Sequence, residues 1–338
     1  MILGVAAMAL VGSMFSLKNY EDEQAVNTGG IATASTNLAP KKIAQTENSF
    51  FENNNGTSTA TSTKSATLAS IESSVINSIS QTPVKVITNN IAKGLGVSAY
   101  AYLVGNINTG QVVLSSRPNI ALPVASMSKL VTSVAALYSL SSTSTIEITK
   151  AEAALPPDGS NLTAGEKFLP GELLYPMLVA SSNVAAEALA SAMNRQKFLE
   201  LMSGYAWEIG MPQTYFADAS GIDPHDVASA FNVFALARYL YNYHPDILAI
   251  TRNPIMEIAS TSEHAAHTFE STHPFVNDPR FIGGKTGRTP QAGETMLTIL
   301  KIDNQPIAFI VLGSKIGARE SDTKTLISEY QKKIIASR

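Results

Sequence analysis

The hydrophobic pattern divides the chain into parts of different character, beginning with an uncharged apolar run at residues 2–17. Lys18 and an acidic stretch follow it at once. As a helix this run would span roughly 24 Å, slightly less than the hydrocarbon core of a bilayer. We expect segment 1–19 to be a membrane anchor or a signal segment. An uncleaved anchor is favoured, because the nearest small-residue cleavage pattern, at 32–34, lies far beyond the run.

Residues 20–88 are polar, rich in Ser, Thr and Asn, and poor in aromatic side chains. Such a segment buries too little apolar surface to offset the entropy that it loses on ordering. We therefore predict a flexible stalk, with at most a short helix at 68–79. The folded domain is predicted to occupy residues 89–338, held away from a membrane surface.

Alternating apolar and polar positions predict strands at both ends of this domain. Strands at 97–104 and 111–115 flank a turn-rich segment and indicate a β-hairpin. Three more strands are predicted at 281–287, 294–302 and 306–314. The last two flank a turn at Asp303 and Asn304.

Apolar residues at helical spacing predict a series of helices between and after these strands. The first begins at Ser126, shortly after Pro123, and continues to Leu140. The others are predicted at 171–179, 184–193, 197–209, 229–243 and 321–336. The whole order predicts an α+β fold: an antiparallel sheet of about five strands with flanking helices and a helical subdomain.

Composition and charge exclude several classes of function. The chain has no cysteine, which excludes a disulfide scaffold, a thiolate nucleophile and cysteine-based metal sites. Its formal net charge is -3, with 24 Lys and Arg against 27 Asp and Glu. A nucleic acid is therefore not an expected partner, since phosphate binding requires a basic face.

A hydroxyl and an amine stand three residues apart at the start of the first predicted helix, at Ser126 and Lys129. This spacing puts both side chains on one face of a helix. Lysine can take a proton from serine only when neutral, which at pH 7 requires its pKa to fall by about 3 units. Burial or a second cation would lower the pKa in this way. The spacing alone is a weak signal, since it recurs at Ser321 and Lys324, which we interpret as a solvated helix face.

Two further polar elements stand where predicted helices or strands begin or end. Ser181 and Asn183 lie between two helices and offer a hydroxyl and an amide, which suit proton relay and substrate binding. Lys285, Thr286 and Gly287 end an apolar strand, at an edge where an extended ligand could pair. The three elements follow one another as SxxK, SxN and KTG, separated by 55 and 104 residues.

In this order the elements resemble the signature of the penicillin-interacting serine enzymes. Over about residues 95–330, the segments PVASMSKLVT, GELLYPMLVASSNVAAEALA, DASGIDP and GGKTGRTPQAG are similar to low-molecular-mass penicillin-binding proteins of the D-alanyl-D-alanine carboxypeptidase and endopeptidase family. The resemblance implies a β-lactamase/penicillin-binding-protein-like fold and a serine peptidase without a cofactor or metal. It implies peptidoglycan stem peptides as substrates, β-lactams as covalent inhibitors and an extracytoplasmic location, at the membrane through the N-terminal segment.

The resemblance also implies catalytic roles for the matching residues. Ser126 would be the acylated nucleophile and Lys129 its general base. Ser181 would relay the proton to the leaving amine, and Asn183 would hold Lys129 and the substrate amide. Lys285 would hydrogen-bond Ser181 and keep Lys129 neutral by charge repulsion.

Substrate-binding roles follow from the same resemblance. Backbone N–H groups of Ser126 and Arg288 would form the oxyanion hole. Thr286, next to Gly287, would hold the terminal carboxylate of the peptide. Arg319 is a second candidate for that carboxylate, with an ordinary surface arginine as the alternative.

The chain departs from the common family pattern at four positions near these motifs. Ser128 replaces the more usual threonine, Ser182 stands where glycine is common, and Val184 stands where an acidic residue often follows the asparagine. Arg288 stands where an aromatic residue or histidine is frequent. None of these departures removes a reacting group, but they leave substrate preference open.

Three alternatives remain at the level of sequence. A β-lactamase would add a carboxylate in an E-x-x-L-N setting between Ser181 and Lys285, and no such setting is present. A zinc hydrolase could use the histidines at 262–274, namely His264, His267 and His273, although no H-E-x-x-H pattern occurs. We predict this segment to be a loop with solvated histidines. A catalytically silent penicillin-binding or wall-binding module is the third alternative.

Remaining polar and aromatic residues receive structural interpretations. We predict that Trp207 belongs to the core and that His225 and His244 flank helices. The chain ends about 50 residues after the KTG element, which favours the short, endopeptidase-like branch of the family. The sequence leaves open whether the scissile bond is terminal or lies in a cross-link.

Overall fold

The computed structural model describes residues 95–156 and 158–336. The predicted membrane segment at 1–19, the stalk at 20–88 and the short helix at 68–79 lie outside the described residues and stay predictions. Within the described ranges, no helix combines the length and the apolar character needed to cross a bilayer.

Strands occupy both ends of the described chain, and helices occupy its middle. In chain order the strands are β1 (Ala101–Asn106), β2 (Val112–Ser116), β3 (Leu122–Pro123), β4 (Ile146–Glu147), β5 (Lys167–Phe168), β6 (Val227–Ala228), β7 (Ile255–Ile258), β8 (His267–Glu270), β9 (Phe281–Thr289), β10 (Gly293–Ile302) and β11 (Gln305–Ser314). The α-helices are α1 (Lys129–Ser139), α2 (Lys150–Ala153), α3 (Pro170–Leu178), α4 (Asn183–Ser191), α5 (Arg195–Ile209), α6 (Ala230–Tyr243), α7 (Pro245–Thr251) and α8 (Arg319–Ala336). A 3-10 helix, Ala125–Ser128, precedes α1.

Five strands form one antiparallel sheet in the order β2-β1-β11-β10-β9. This confirms the predicted α+β fold with a five-stranded antiparallel sheet. The hairpin of β10 and β11 turns through Asp303 and Asn304, whose φ angles are 50° and 61°. Two central residues with positive φ are what a two-residue type I′ turn requires, and Asn and Asp tolerate that conformation well.

The sheet separates two apolar layers because successive side chains of a strand point to opposite faces. On one face, Leu103, Leu297 and Ile310 pack against the helices of the middle of the chain. On the other face, Phe309 packs against α8, where its ring meets the ring of Tyr330 edge to face at 5.9 Å. The closing helix therefore covers the sheet on the side opposite the helical subdomain.

Several short elements were not predicted from the sequence: the strands β3 to β7 and the helix α2, besides β8 and α7. The segment 262–274, predicted to be a loop, contains β8, which pairs with β7. Only Phe269 of the four residues of β8 is buried, so the segment shows too little alternation to reveal a strand. Helix α7 was not predicted, although Pro245 opens it at the position where proline is favoured.

Trp207 was wrongly predicted to lie in the core, since 69% of its surface is exposed. The buried residues of α5 include Phe198, Met202 and Ala206, which lie four positions apart on one face. The next residue along the chain is rotated by about 100° from its predecessor, which places Trp207 outside that face.

The prediction of solvated histidines was also wrong, because His264 and His273 are buried. The ring of His264 stacks on Phe168 with 4.4 Å between centroids. The ring of His273 lies 4.4 Å from that of Phe281. Both rings therefore pack against aromatic side chains instead of facing solvent. His244, predicted to flank a helix, does lie between α6 and α7.

We predict that Phe309→Ala lowers the free energy of unfolding by about 3 to 5 kcal/mol, because it removes a fully buried ring from the centre of the sheet. Trp207→Ala is the matched control, since its aromatic side chain is mostly exposed and should change stability by less than about 0.5 kcal/mol. Denaturant unfolding of both variants measures the difference. Equal losses would contradict the assignment of the two rings to core and surface.

Candidate active site

The first part of the site lies where the 3-10 helix passes into α1. Ser126 is partly exposed, whereas Lys129 is completely buried. The Nζ atom of Lys129 lies 2.9 Å from Ser126 Oγ, as the three-residue spacing predicts. Ala125, just before the serine, has a φ of 50°, a left-handed conformation that costs a non-glycine residue free energy.

The Nζ atom of Lys129 has three partners, which come from three separate parts of the chain. Besides Ser126 Oγ, it contacts Asn183 Oδ1 at 2.9 Å and the backbone carbonyl oxygen of Ser220. The last two atoms can only accept hydrogen bonds. A neutral amine therefore donates its two N–H bonds to them, and its lone pair is left facing the hydroxyl of Ser126.

Burial lowers the pKa of Lys129 to about 8, against the negative charges of Asp218 and Asp158, which raise it. Burial also holds the pKa of Lys285 well below its usual value, and the charges of Lys129 and Arg319 lower it further. The sequence predicted two causes of a neutral Lys129, burial and repulsion by Lys285. Burial is the main cause of the lowered pKa of both amines.

The second part of the site is the turn between α3 and α4. Ser181 has a φ of 66°, so a second non-glycine residue in the left-handed region adjoins the reactive groups. Its Oγ accepts a hydrogen bond of 2.8 Å from Lys285 Nζ. Asn183 is the first residue of α4, and Ser182 caps this helix by accepting from the N–H of Ala185.

The third part of the site is the edge strand β9. Lys285 stands opposite Leu297 of β10, whose side chain faces the helical layer, so the amine reaches Ser181 from the sheet. Lys285 Nζ also donates to the backbone oxygen of Thr286. The hydroxyl of Thr286 lies 2.8 Å from that of Thr272.

Gly287 lets β9 approach the turn that carries the serine. A Cβ atom at this position would lie 2.5 Å from Thr295 Oγ1 and 2.8 Å from the carbonyl oxygen of Val124. Arg319 Nη1 donates to the carbonyl oxygen of Gly287 at 3.2 Å, so this arginine contacts the same strand. Arg288, the next residue, is exposed.

The structure thus brings the residues of all three motifs to one place. Ser126, Lys129 and Asn183 share one set of contacts, and Ser181, two residues before Asn183, is hydrogen-bonded to Lys285. The substrate-binding candidates lie along or against the strand of Lys285: Thr286, Gly287, Arg288 and Arg319.

A loop outside the three motifs packs against the turn that carries Ser126. Asp218 accepts hydrogen bonds from the backbone N–H groups of Ser220, Gly221 and Asp223. Gly221 has a φ of 81°, and a Cβ atom there would collide with the carbonyl oxygen of Ala125. The segment DASGIDP, quoted above only for its similarity, therefore shapes the serine turn and supplies the Ser220 oxygen.

The remaining acidic residues near Lys129 are held by partners of their own. Glu187 accepts from the N–H of Ala219 at 2.9 Å and pairs with Arg195 at 2.7 Å. Asp226 is fully buried, and burial together with the charge of Asp218 raises its pKa well above the usual value. Asp158, which sequence reasoning missed, accepts from the backbone at the start of α4. It lies 25 residues before Asn183 with no motif around it.

The histidines considered as zinc ligands have other contacts. His267 Nε2 lies 2.8 Å from Glu166 Oε1, and His264 Nδ1 lies 2.8 Å from the carbonyl oxygen of Ala265. His273 Nε2 lies 3.0 Å from the carbonyl oxygen of Leu297, behind the KTG strand. In residues 95–156 and 158–336, no three His, Asp or Glu side chains are grouped so that they could hold a metal ion.

The arrangement suits acyl transfer to a serine. A partly exposed hydroxyl faces the lone pair of a buried amine, and a second hydroxyl is hydrogen-bonded to a second amine nearby. These are the requirements for an activated nucleophile and for proton transfer to a leaving group. Fold and site together define a serine acyltransferase of the penicillin-interacting class.

Comparison with known proteins identifies the family within this class. Residues 87–316 match the family model Peptidase_S11, described as D-alanyl-D-alanine carboxypeptidase. The chain is 29% identical over 241 residues to a D-alanyl-D-alanine endopeptidase of Haemophilus influenzae, covering 69% of this chain and 82% of the relative. It is 25% identical over 233 residues to the D-alanyl-D-alanine endopeptidase of Escherichia coli, covering 64% and 71%.

Solved structures agree with this comparison. Penicillin-binding protein D2 of Listeria monocytogenes in its ampicillin-bound form is 25% identical, with a TM-score of 0.60 over 70% of this chain and 98% of that one. A mutant form of the DD-transpeptidase of Streptomyces K15 shares the fold with a TM-score of 0.62 at 21% identity, over 69% and 97% of the two chains.

The chain belongs to the Peptidase_S11 family of D-alanyl-D-alanine carboxypeptidases and endopeptidases. It is a serine D-alanyl-D-alanine peptidase that acts on peptidoglycan, outside the cytoplasm. Membership implies peptidoglycan peptides as substrates and binding of β-lactams. The family and the activity expected from the sequence motifs are therefore confirmed.

We predict that Gly287→Ala reduces the rate of acylation at least about tenfold and costs about 1 to 3 kcal/mol of stability. The added Cβ would press on backbone at Val124, which cannot move without displacing the serine turn. Gly204→Ala is the control, because its Cβ would meet nothing within 4 Å inside α5. It should keep the wild-type rate and gain up to about 1 kcal/mol. A wild-type rate in Gly287→Ala would contradict the close approach.

We predict that acylation speeds up as the pH rises through about 8, the pKa to which burial lowers Lys129. The base works only when neutral, so the rate should fall about tenfold for each pH unit below that value. The measurement is the second-order rate constant of labelling by a fluorescent penicillin between about pH 6 and about pH 10. Thermal unfolding at each pH is the control. A rate that stays constant up to pH 8 would rule out this assignment.

Proposed function

We propose that the protein cleaves its peptide through an acyl-enzyme on Ser126, with Lys129 as the general base. The three contacts of Lys129 Nζ carry this proposal, because two carbonyl acceptors leave the lone pair for the serine hydroxyl. Lys129 takes the proton as Ser126 Oγ bonds to the carbonyl carbon of D-alanine. The carbonyl oxygen becomes an oxyanion, which the backbone N–H groups of Ser126 and Arg288 stabilise.

Collapse of this intermediate requires a proton on the leaving amine. We assign its delivery to Ser181, whose hydroxyl accepts a hydrogen bond from Lys285. Ser181 Oγ gives its proton to the amine and regains one from Lys285, and the proton that Lys129 took from Ser126 replaces it, so that Lys129 is neutral again. Water then attacks the ester on Ser126 and gives a proton to Lys129. Lys129 returns this proton to Ser126 Oγ as the ester bond breaks, and the acyl group leaves as a carboxyl group.

Substrate binding is assigned to the strand β9 and to Asn183. The side-chain amide of Asn183 faces the substrate amide while its oxygen holds Lys129. Thr286 binds the carboxylate at the end of the peptide, and Arg319 adds positive charge behind the backbone of Gly287. Gly287 lets this strand lie close to the turn of Ser126, so that a peptide along the strand edge would reach the nucleophile.

Among the possible scissile bonds, we propose the cross-link between two stem peptides. Two relatives that are 29% and 25% identical to the chain, from Haemophilus influenzae and Escherichia coli, are D-alanyl-D-alanine endopeptidases. A carboxypeptidase that removes only the terminal D-alanine is the second candidate, which the description of the family model favours. We also propose that segment 1–19 acts as a membrane anchor rather than as a cleaved signal segment, because no small-residue cleavage pattern lies directly after its apolar run.

In this proposal β-lactams are covalent inhibitors, and the enzyme hydrolyses their adduct slowly. Rapid hydrolysis would need a free carboxylate to activate water at the acyl-enzyme. Near Lys129, Asp218 and Asp158 accept backbone N–H groups and Glu187 pairs with arginine. Asp226 has one oxygen without a partner, but it is completely buried and out of reach of water at the acyl-enzyme. This favours a D,D-peptidase over a β-lactamase. A silent binding module is disfavoured because each reacting side chain keeps its partner.

We predict that fluorescent penicillin labels the full-length protein as a slowly decaying adduct and that Ser126→Ala abolishes the labelling. Defined muropeptides should lose the cross-link, which mass spectrometry of the products detects. Release of free D-alanine with intact cross-links would point to the carboxypeptidase instead. Thr143→Ala, an exposed hydroxyl in a surface turn, is the matched control and should leave both reactions unchanged. An active Ser126→Ala protein would overturn the assignment of the nucleophile.

A further inference from the structure

Asp158 lies between α2 and β5 and faces the start of α4. Its Oδ2 atom accepts hydrogen bonds from the backbone N–H groups of Asn183 and Val184, the second at 3.1 Å. The same oxygen accepts from Ser182 Oγ at 3.0 Å. Three consecutive residues thus converge on one carboxylate oxygen, and they form the turn that presents Asn183 to Lys129.

The other oxygen of Asp158 is held from its own side of the chain. Oδ1 accepts from the N–H of Ser160 at 3.0 Å and from Ser160 Oγ at 2.6 Å. The hydroxyls of Ser160 and Ser182 lie 2.9 Å apart, so the two serines close a small buried network. Although burial raises the pKa of Asp158, the hydrogen bonds from Ser160, Val184 and Ser182 hold it below the usual range. The group is therefore an anion.

An anion suits this position for a general reason. Asn183 and Val184 open α4, and the first N–H groups of a helix have no partner inside the helix. A negative charge is favourable there because of the helix dipole. Val184 carries no acidic side chain of its own, so the carboxylate comes from a separate loop.

Asp158 also contributes to the electrostatic surroundings of the lysine base. Its charge raises the pKa of Lys129, as do the charges of other acidic groups, while burial lowers it. The titratable groups that face Lys129 are Asp218 and Asp226 before β6, Glu187 on α4, Asp158, and Lys285 on β9. Among these acidic groups, Asp158 is the one that also accepts a hydrogen bond from the backbone N–H of Asn183.

We propose that Asp158 is a positioning residue for the peptidase reaction. It fixes the SxN turn so that Asn183 holds the amine of Lys129 with its lone pair toward Ser126, and it places a negative charge beside that amine. This inference rests on the proposed function, in which Lys129 is the general base. It assigns a role to a residue outside the three motifs.

The test compares Asp158→Asn with the wild-type full-length protein, by measuring the acylation rate with fluorescent penicillin across pH. The amide has only one accepting oxygen, so it cannot accept from the SxN turn and also from the backbone N–H of Ser160, and we expect the maximal rate to fall about tenfold. Removing the charge favours the neutral lysine, so the midpoint of the rise should move to lower pH by roughly half a unit. A purely structural role would not move this midpoint.

Glu166→Gln is the matched control. Glu166 also accepts backbone N–H groups, from Thr163 at 2.7 Å and from Ala265 at 3.1 Å, and it is largely buried. It makes none of the contacts of the SxN turn given above. We expect Glu166→Gln to lose stability while keeping the wild-type midpoint and rate.

Ser160→Ala tests the position of Asp158 without removing its charge. It also provides a test if Asp158→Asn does not fold. It removes the 2.6 Å hydrogen bond but keeps the anion, so the maximal rate should fall about threefold with an unmoved midpoint. A folded Asp158→Asn with a wild-type profile, or a Ser160→Ala with a wild-type rate, would overturn the inference. Loss of labelling in Ser126→Ala, measured alongside, shows that the proposed function holds whatever Asp158 does.

Discussion

The burial of one amine, that of Lys129, is the constraint on which the rest of the site depends. A charged amine without contact to water is costly, so burial favours the neutral form that can take a proton. The same amine still needs partners for its two N–H bonds. Asn183 and the backbone of Ser220 provide them, and this leaves one direction, toward Ser126, for the lone pair.

The amine of Lys129 has its hydrogen-bond partners only because three separate parts of the chain approach one another closely. This close approach strains the backbone. Ala125 and Ser181 adopt left-handed conformations that non-glycine residues rarely take. Gly221 and Gly287 allow neighbouring backbone to come nearer than a Cβ atom would permit. The two apolar layers of the sheet hold these segments in place, because their packing resists the small shifts that would relax the strain.

The acidic groups around the lysine work against its burial, and the balance leaves its pKa near 8 rather than far lower. Most of these carboxylates also hold backbone N–H groups, so one set of side chains shapes the loops and adjusts the base. Ser182 illustrates the connection. Its hydroxyl bonds to Asp158 and Ser160, while its backbone leads into α4. Ser182 therefore supplies a buried partner for the anion.

Local patterns in the sequence were sufficient for the sheet, the longer helices and the order of the three motifs, because strand and helix periodicities depend on near neighbours. They could not find Asp158, since a carboxylate in a loop has no periodicity and gains its role only when the fold brings α4 against it. They also misplaced Trp207 and His273, because burial depends on which distant elements cover a side chain. The sequence determined which groups could react; only the tertiary structure decided which of them is buried, paired and held in place.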